Sequence, residues 1–185
     1  VDVSAVVARN NINNNRLLQV PSTIIGQPGI DECDWPGIVC NTDGYITRIK
    51  IAFKRQLTGT IVPEIGLLHS TLKWFDVSNN QLTGRIPEEL YQLTELERLV
   101  LFKNSLTGTI STRIGNLDKL SYLHLRHNQL SGSLPAELKS DAGSEDGIRP
   151  IRYFNVYSNQ LTCRIPENLR FRQAVYFDVG RNQMT

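Results

Sequence analysis

LKWFDVSNNQLTGRIPEELYQL, residues 72 to 93, is one complete unit of a repeat that recurs along the chain. The unit reads LxxLxLxxNxLxGxIPxxLxxL, and its Leu-Thr-Gly step returns with small variations. These steps begin at Leu57, Leu82, Leu106, Leu130, Leu161 and Met184, so that successive starts are 25, 24, 24, 31 and 23 residues apart. Such a period predicts a solenoid, because one unit cannot bury its own leucines whereas stacked units bury them against each other.

The alternating letters of each unit predict a short strand followed by a turn. Successive side chains of a strand point to opposite faces, so the apolar positions face the interior of the coil. An Asn follows each strand, and its amide can satisfy backbone groups that have left the sheet. We therefore interpret the Asn column as internal scaffold. Its members are Asn80, Asn104, Asn128, Asn159 and Asn182.

These units resemble plant-type leucine-rich repeats, as in receptor-kinase ectodomains and polygalacturonase-inhibiting proteins. The resemblance covers residues 46–185, about six repeats with the last incomplete. It implies an α/β repeat solenoid, a leucine-rich repeat superhelix with a parallel sheet on the concave face and short helical or 3-10 segments on the convex face. The first repeat has Arg55 where Asn is expected, which predicts an irregular turn. The fourth repeat carries about seven extra residues near 139–150. We interpret them as a surface loop; a cation site is the alternative, which the spacing of the carboxylates does not support.

The motif CDWPGIVC, residues 33 to 40, is similar to the N-terminal capping motif of the same family. The resemblance implies that residues 1–45 form a cap with a Cys33–Cys40 disulfide, and hence an oxidising compartment. A redox or metal pair is the competing interpretation, but neither a CxxC spacing nor a nearby His supports it. Cys163 takes the Gly position of the fifth repeat, roughly 20 Å from the cap by strand spacing. It is either a buried free thiol or the partner of a cysteine outside this sequence.

Composition and motifs exclude several classes of function. The net charge is +2 with basic residues spread along the chain, which argues against nucleic acid. No apolar stretch approaches the roughly 18 residues of a membrane helix, so we expect no direct membrane insertion. Val1 follows no Met or signal segment, which we interpret as a processed or trimmed soluble chain. No nucleophile, phosphate-loop or metalloprotease motif is present, so we expect no enzyme, no cofactor and no metal site.

The strand positions between the buried ones face the concave side and form three columns. They supply the candidate ligand-binding residues, because Tyr, Trp and Arg dominate binding hot spots. The candidates are Trp74, Arg98, Phe102, Tyr122, His124, Arg126, Tyr153, Tyr157 and Tyr176. Two explanations remain open at this point, a ligand site or a ladder of rings stacked on each other, and both can hold together. His124 and His127 are three residues apart and point to different sides, which is not a metal pair.

The resemblance implies a secreted or cell-surface recognition module that binds a protein, peptide or glycan through the concave face. A receptor ectodomain, a soluble inhibitor and an adhesion protein are equally consistent with it. The alternative is a surface-binding structural protein, such as an ice-binding or adhesion protein. Its support is the column Thr58, Thr83, Thr107, Ser131 and Thr162. Arg85 and Arg164 interrupt the adjoining column, which spoils a lattice match. The sequence stops within the sixth repeat, so we expect the edge strand VYFDVGR to be covered either by further coils of a longer chain or by a second copy through self-association.

Overall fold

The structure is a computed structural model that describes residues 32–52, 57–138, 151–162, 164–166 and 174–184. In these ranges the chain forms short strands and 3-10 helices. The strands are β1 (Ile38–Cys40), β2 (Ile46–Lys50), β3 (Thr58–Thr60), β4 (Trp74–Asp76), β5 (Gln81–Arg85), β6 (Arg98–Val100), β7 (Ser105–Thr109), β8 (Tyr122–His124), β9 (Gln129–Gly132), β10 (Tyr153–Asn155), β11 (Gln160–Leu161) and β12 (Tyr176–Asp178). The 3-10 helices are Glu32–Asp34, Pro63–Leu68, Glu88–Gln92 and Thr112–Asn116. None of these helices has the length and apolar character needed to cross a bilayer.

The larger sheet lies on the side predicted to be concave. Its order is β1-β2-β4-β6-β8-β10-β12, and all neighbours are parallel except the β1 and β2 pair. Each parallel pair is in register, as in the match of Arg98 with Trp74 on one side and Tyr122 on the other. The predicted solenoid, with a parallel sheet and short 3-10 segments, is confirmed.

Apolar residues from every coil form one continuous core. Leu99, Leu123 and Phe154 come from three neighbouring strands at the same position, and all three are fully buried. Burying a side chain of this size contributes about 1.5–3 kcal/mol. Trp35 from the capping motif belongs to the same core and is only 8% exposed. The alternating pattern of the sequence therefore assigned the correct residues to the interior.

A second parallel sheet, which the sequence analysis did not predict, forms along the Leu-Thr-Gly steps. Its order is β11-β9-β7-β5-β3. Gly108 shows why the step needs glycine, because its φ is +81° and an added Cβ would lie 2.8 Å from Cγ of Arg85 in the preceding coil. Side chains other than glycine are strained at such a positive φ and have no space here. The step is therefore a close contact between coils as well as a turn.

The Asn column links each coil to the one before it. Asn128 Nδ2 donates to the carbonyl oxygens of Leu101 and Leu125, at 3.0 Å each, and Asn128 Oδ1 accepts from the Leu106 N–H at 3.0 Å. Asn104, Asn159 and Asn182 repeat this pattern. These side chains satisfy backbone groups that face the interior without a sheet partner. The interpretation of the Asn column as internal scaffold is confirmed.

The predicted disulfide between Cys33 and Cys40 is present, with 5.6 Å between the two Cα atoms. Strand β1, which ends at Cys40, pairs antiparallel with β2 and so extends the concave sheet by one strand. Other predictions concern Arg55, Cys163, the insertion 139–150 and most of the 1–45 cap, and these lie wholly or largely outside the described residues. The division at residue 46 stays a prediction.

Candidate functional site

The first row of the concave face runs across all six parallel strands of the larger sheet. It consists of Arg48, Trp74, Arg98, Tyr122, Tyr153 and Tyr176, one from each strand in order. In-register pairing brings these side chains to adjacent positions, because parallel strands lie about 4.8 Å apart. Five of the nine predicted site residues belong to this row. The sheet pairs each of them in register with its neighbour in the row.

The rings of the first row stack on each other. Tyr122 and Tyr153 lie 4.1 Å apart between ring centres with an interplanar angle of 9°, and Tyr153 and Tyr176 lie 4.8 Å apart at 11°. At the other end of the row, the guanidinium carbons of Arg48 and Arg98 lie 4.4 and 4.8 Å from the centre of the Trp74 ring. The ladder that the sequence left open as one explanation is therefore present. Binding of a ligand by the same residues stays a prediction.

Stacking determines what the first row can offer to a ligand. The face of Tyr153 is covered on both sides by tyrosines, so a ligand meets the edge of this ring and not its face, and the Tyr153 hydroxyl accepts from Asn155 Nδ2 at 3.5 Å. Burial raises the pKa of Tyr122 to about 12, with a further contribution from Tyr153. The hydrogen bond to Asp178 raises the pKa of Tyr176. These phenols are thus neutral hydrogen-bonding groups at physiological pH.

The second row consists of Lys50, Asp76, Val100, His124, Asn155 and Asp178, and half of these side chains are closed to solvent. Asp76, Val100 and Asn155 are buried. Asp76 accepts hydrogen bonds from the N–H and hydroxyl of Ser78, and Asn155 accepts from the Tyr157 N–H. Sequence alternation assigns the face of a side chain but not how much of that side chain is buried.

His124 is the half-buried member of the second row. Its ring stacks on Phe102 at 4.4 Å and meets the edge of Tyr153 at 5.3 Å. Burial lowers the pKa of His124 to about 4, and the positive charge of Arg126 adds to this shift. The imidazole is therefore neutral at physiological pH.

The third row consists of Ala52, Ser78, Phe102, Arg126, Tyr157 and Gly180. Tyr157 lies between Arg126 of this row and the turn residue Arg181 beside it. The guanidinium carbon of Arg126 lies 4.9 Å from the Tyr157 ring centre, and that of Arg181 lies 5.6 Å from it. His127 meets the same ring edge-on at 5.8 Å. Arg181 was not among the predicted residues, because it occupies the turn position before Asn182 and not a strand position. The structure thus brings the predicted residues together on one surface and adds Arg48 and Arg181 to it.

Three polar side-chain atoms of this surface are buried without a hydrogen-bond partner in the protein. They are Trp74 Nε1, His124 Nε2 and Arg126 Nε. Across the ranges that the structure describes, no group of three or more His, Cys, Asp and Glu residues is arranged to hold a metal ion. Most side chains of the surface carry rings, hydroxyls and guanidinium groups.

Comparisons with known proteins agree with this geometry. A sequence profile described as Leucine Rich Repeat matches residues 71–93 and 119–140. The ectodomain of the receptor kinase SOBIR1 from Arabidopsis thaliana is similar, with a TM-score of 0.71 and 33% identity over 82% of this chain and 84% of that one. This chain is a plant-type leucine-rich repeat protein. The repeat protein also matches a probable receptor-like serine/threonine-protein kinase, RPK1 of Arabidopsis thaliana, at 28% identity over 103 residues. That match covers 44% of this chain and 19% of the relative.

Two further structures bear on what such a surface binds. The ectodomain of the Arabidopsis receptor kinase HAESA, in complex with an IDA peptide hormone ligand, has a TM-score of 0.62 and 30% identity, over 69% of the repeat protein and 20% of that chain. A plant ice-binding protein has a TM-score of 0.67 and 30% identity, over 82% of the repeat protein and 47% of that chain. Structures similar to this chain thus include a receptor ectodomain with a bound peptide hormone and an ice-binding protein.

Proposed function

We propose that the repeat protein is an extracellular or cell-surface recognition module that binds a peptide through its concave face. The observation that carries the proposal is the first row, a continuous line of ring edges and guanidinium groups from Arg48 to Tyr176. Trp, Tyr and Arg are the side chains that most often dominate binding energy. A row held by its own stacking loses little conformational freedom when a ligand arrives, which favours affinity.

Two other observations support this proposal. Similar structures are receptor ectodomains, and that of HAESA is in complex with a peptide hormone. The Cys33–Cys40 disulfide is the kind of bond that persists in an oxidising compartment outside the cytosol. Ectodomains of this family are generally recognition modules and not catalysts, so the proposed role is binding without chemistry. The nine predicted site residues belong to the proposed site.

The proposal is tested by selecting random twelve-residue peptides from a display library on the immobilised chain. Replacing Tyr153 by Ala removes the ring at the centre of the stack, and we expect it to weaken selected peptides by roughly 10- to 100-fold, as for a hot spot. Tyr45→Ala is the matched control, because Tyr45 is 57% exposed and lies outside the three rows. Urea unfolding of both variants confirms that they remain folded. Selected peptides that bind the Tyr153 variant as tightly as the wild type contradict the proposal.

Similarity to an ice-binding protein favours one alternative, a regular hydroxyl surface on the second sheet. The structure provides two arguments against it. Thr83 and Ser131 donate their hydroxyl hydrogens to the carbonyl oxygens of Gly59 and Gly108, so these groups already serve the contact between coils. Arg85 extends over Gly108 and interrupts the surface. We expect no thermal hysteresis, and a measured gap between freezing and melting temperatures would establish the alternative.

A further inference from the structure

Two aromatic rings on the concave side each lie between two arginines. We call Arg48, Trp74 and Arg98 the N-terminal sandwich. Arg126, Tyr157 and Arg181 form the C-terminal sandwich. The four guanidinium carbons lie 4.4 to 5.6 Å from the ring centres, within the range of cation–π attraction. The rings hold the arginines in place.

None of these arginines has an acidic partner in the described part of the chain. The ion pairs found there join Arg113 to Glu88 and Lys119 to Glu95, which belong to other surfaces. The three rows and the left-handed turn residues beside them carry six basic and two acidic side chains, a net charge of +4, although the whole chain carries +2. The two acids, Asp76 and Asp178, are already hydrogen bonded to Ser78 and Tyr176. The surface therefore carries a net positive charge, whereas the rest of the chain is slightly acidic.

The two sandwiches lie at opposite ends of a diagonal across the sheet. The Trp74 ring is on β4 and the Tyr157 ring follows β10, three strand steps away and four residues further along the coil. Strand spacing and rise place the two ring centres about 20 Å apart. Uncharged rings occupy the middle of the diagonal, namely Phe102, the neutral His124 and Tyr153. The surface thus has two cationic ends and an aromatic centre.

The unpartnered polar atoms lie on the same diagonal. Trp74 Nε1 belongs to the N-terminal sandwich, Arg126 Nε to the C-terminal sandwich, and His124 Nε2 to the centre. Buried polar atoms without partners are uncommon, and each requires an explanation. All three nitrogens are fully buried, so a ligand on the surface does not reach them in this structure.

We infer that the concave face takes a linear peptide with two acidic side chains about six residues apart, bound diagonally with one acid on each arginine sandwich. This inference rests on the proposed function and specifies its ligand. An extended chain rises about 3.3 Å per residue, so about six residues span the 20 Å between the sandwiches. The residues between the two acids lie on the aromatic centre, where uncharged side chains fit. Bidentate contacts between guanidinium and carboxylate fix the orientation of the peptide.

A peptide suits this surface better than an acidic glycan does. Sugars bind aromatic residues by lying on the exposed face of a ring, whereas the faces of Trp74, Tyr153 and Tyr157 are covered by neighbouring side chains. Ring edges and hydroxyls remain, and these match the amides and side chains of a peptide. Two separated cationic ends also suit two discrete acids, while a uniform polyanion would leave charges on the aromatic centre.

The test uses fluorescence-labelled peptides with blocked termini and the full chain. The main probe is Glu-Ser-Thr-Tyr-Ser-Thr-Glu, compared with the same peptide carrying Gln for both Glu and with one whose two Glu residues are two apart. We expect the main probe to bind at least about tenfold more tightly than the Gln peptide and severalfold more tightly than the closely spaced one. Affinity should fall between about 0.15 M and about 1 M salt.

Variants separate specific contacts from general charge. We expect Arg98→Gln and Arg126→Gln each to weaken the main probe about fivefold and to leave the Gln peptide unchanged. Arg113→Gln makes the same change of charge on another surface, and we expect it to change nothing. If the Gln peptide binds as well as the main probe and Tyr153→Ala weakens both, the proposed function stands and this inference is overturned. If no peptide binds at millimolar concentration, both fall. Tighter binding of an oligogalacturonate that needs the same arginines would replace the peptide with a glycan.

Discussion

Replacing Asn128 by alanine tests whether the Asn column holds successive coils together. Asn128 makes three hydrogen bonds to the backbone, two to carbonyl oxygens and one from an N–H. The two carbonyls do not lose every partner, because Leu101 O also accepts from Asn104 and Leu125 O also accepts from Asn159. The N–H of Leu106 has no second acceptor of this kind. The variant therefore leaves one buried donor unpaired and removes one of two bonds at each carbonyl.

These losses set the expected magnitude. A buried donor without a partner costs about 1–3 kcal/mol, and each lost neutral hydrogen bond costs about 1 kcal/mol. The expected destabilisation of Asn128→Ala is therefore about 3–5 kcal/mol, a large part of the roughly 5–15 kcal/mol that stabilises an ordinary domain. Asn128→Asp has nearly the same shape but directs a carboxylate oxygen at two carbonyl oxygens. We expect it to cost at least as much at pH 7, and less when the carboxyl group is protonated at pH 4.

Urea unfolding followed by circular dichroism measures these differences. Asn116→Ala is the matched control, because Asn116 is exposed at the end of the 3-10 helix Thr112–Asn116 and should cost less than about 0.5 kcal/mol. The Asp variant is compared with the wild type at each pH, which removes the effect of other titrating groups. A cost below about 1 kcal/mol for Asn128→Ala, or one equal to that of Asn116→Ala, refutes the assignment of this column as structural.

Three further predictions follow from other parts of the structure. Gly108→Ala should destabilise by about 2–4 kcal/mol in urea unfolding, because it combines a φ of +81° with a contact to Arg85 at 2.8 Å; pairing it with Arg85→Ala should recover part of that loss, and no recovery would contradict the contact. The pKa of His124 falls from 6.5 to about 4 on folding, so the contribution of His124 to stability is present above pH 6.5 and is lost as the pH falls through 4. After allowance for solvent screening, the wild type should lose about 1 kcal/mol more stability than His124→Phe between pH 7 and pH 4. Equal losses in the two proteins would contradict this prediction. The Cys33–Cys40 disulfide closes a short loop, so reducing it should lower the free energy of unfolding by about 2–3 kcal/mol. The measurement is a lower urea midpoint with reductant than without. The Cys33→Ser, Cys40→Ser double variant should show no effect of reductant.

The repeat made most of the fold predictable, because the same constraint appears in every unit. Alternation assigned Leu99 and Leu123 to the interior, and the position of Asn128 after its strand implied a backbone contact. The same pattern recurs in every unit, so an incorrect strand register in one unit would have been incorrect in all of them. The capping motif implied the disulfide through resemblance alone, because a spacing of seven residues does not specify a pair.

Features that depend on contacts between units were harder to predict. In the second sheet Gly108 lies close to Arg85 of the preceding coil, and no single unit contains that distance. Asp76 and Asn155 lie on the concave face and are nevertheless buried, which alternation within one unit does not indicate. Arg181 joins the site from a turn, so a reading restricted to strand positions omits it. A signal was available in the sequence, since basic residues precede the Asn column at both Lys103 and Arg181.

Stacking and ligand binding are not competing explanations for the concave rings, because stacking decides which part of each ring a ligand can reach. A free tyrosine would offer its face and lose side-chain freedom on binding, whereas Tyr153 is fixed by Tyr122 and Tyr176 before any ligand arrives. The same kind of stacking holds Arg98 against Trp74. A surface built this way discriminates by the positions of hydroxyls and charges more than by apolar area. This surface should therefore recognise a ligand by the spacing of the ligand's polar groups, because the two arginine sandwiches lie at fixed positions on it.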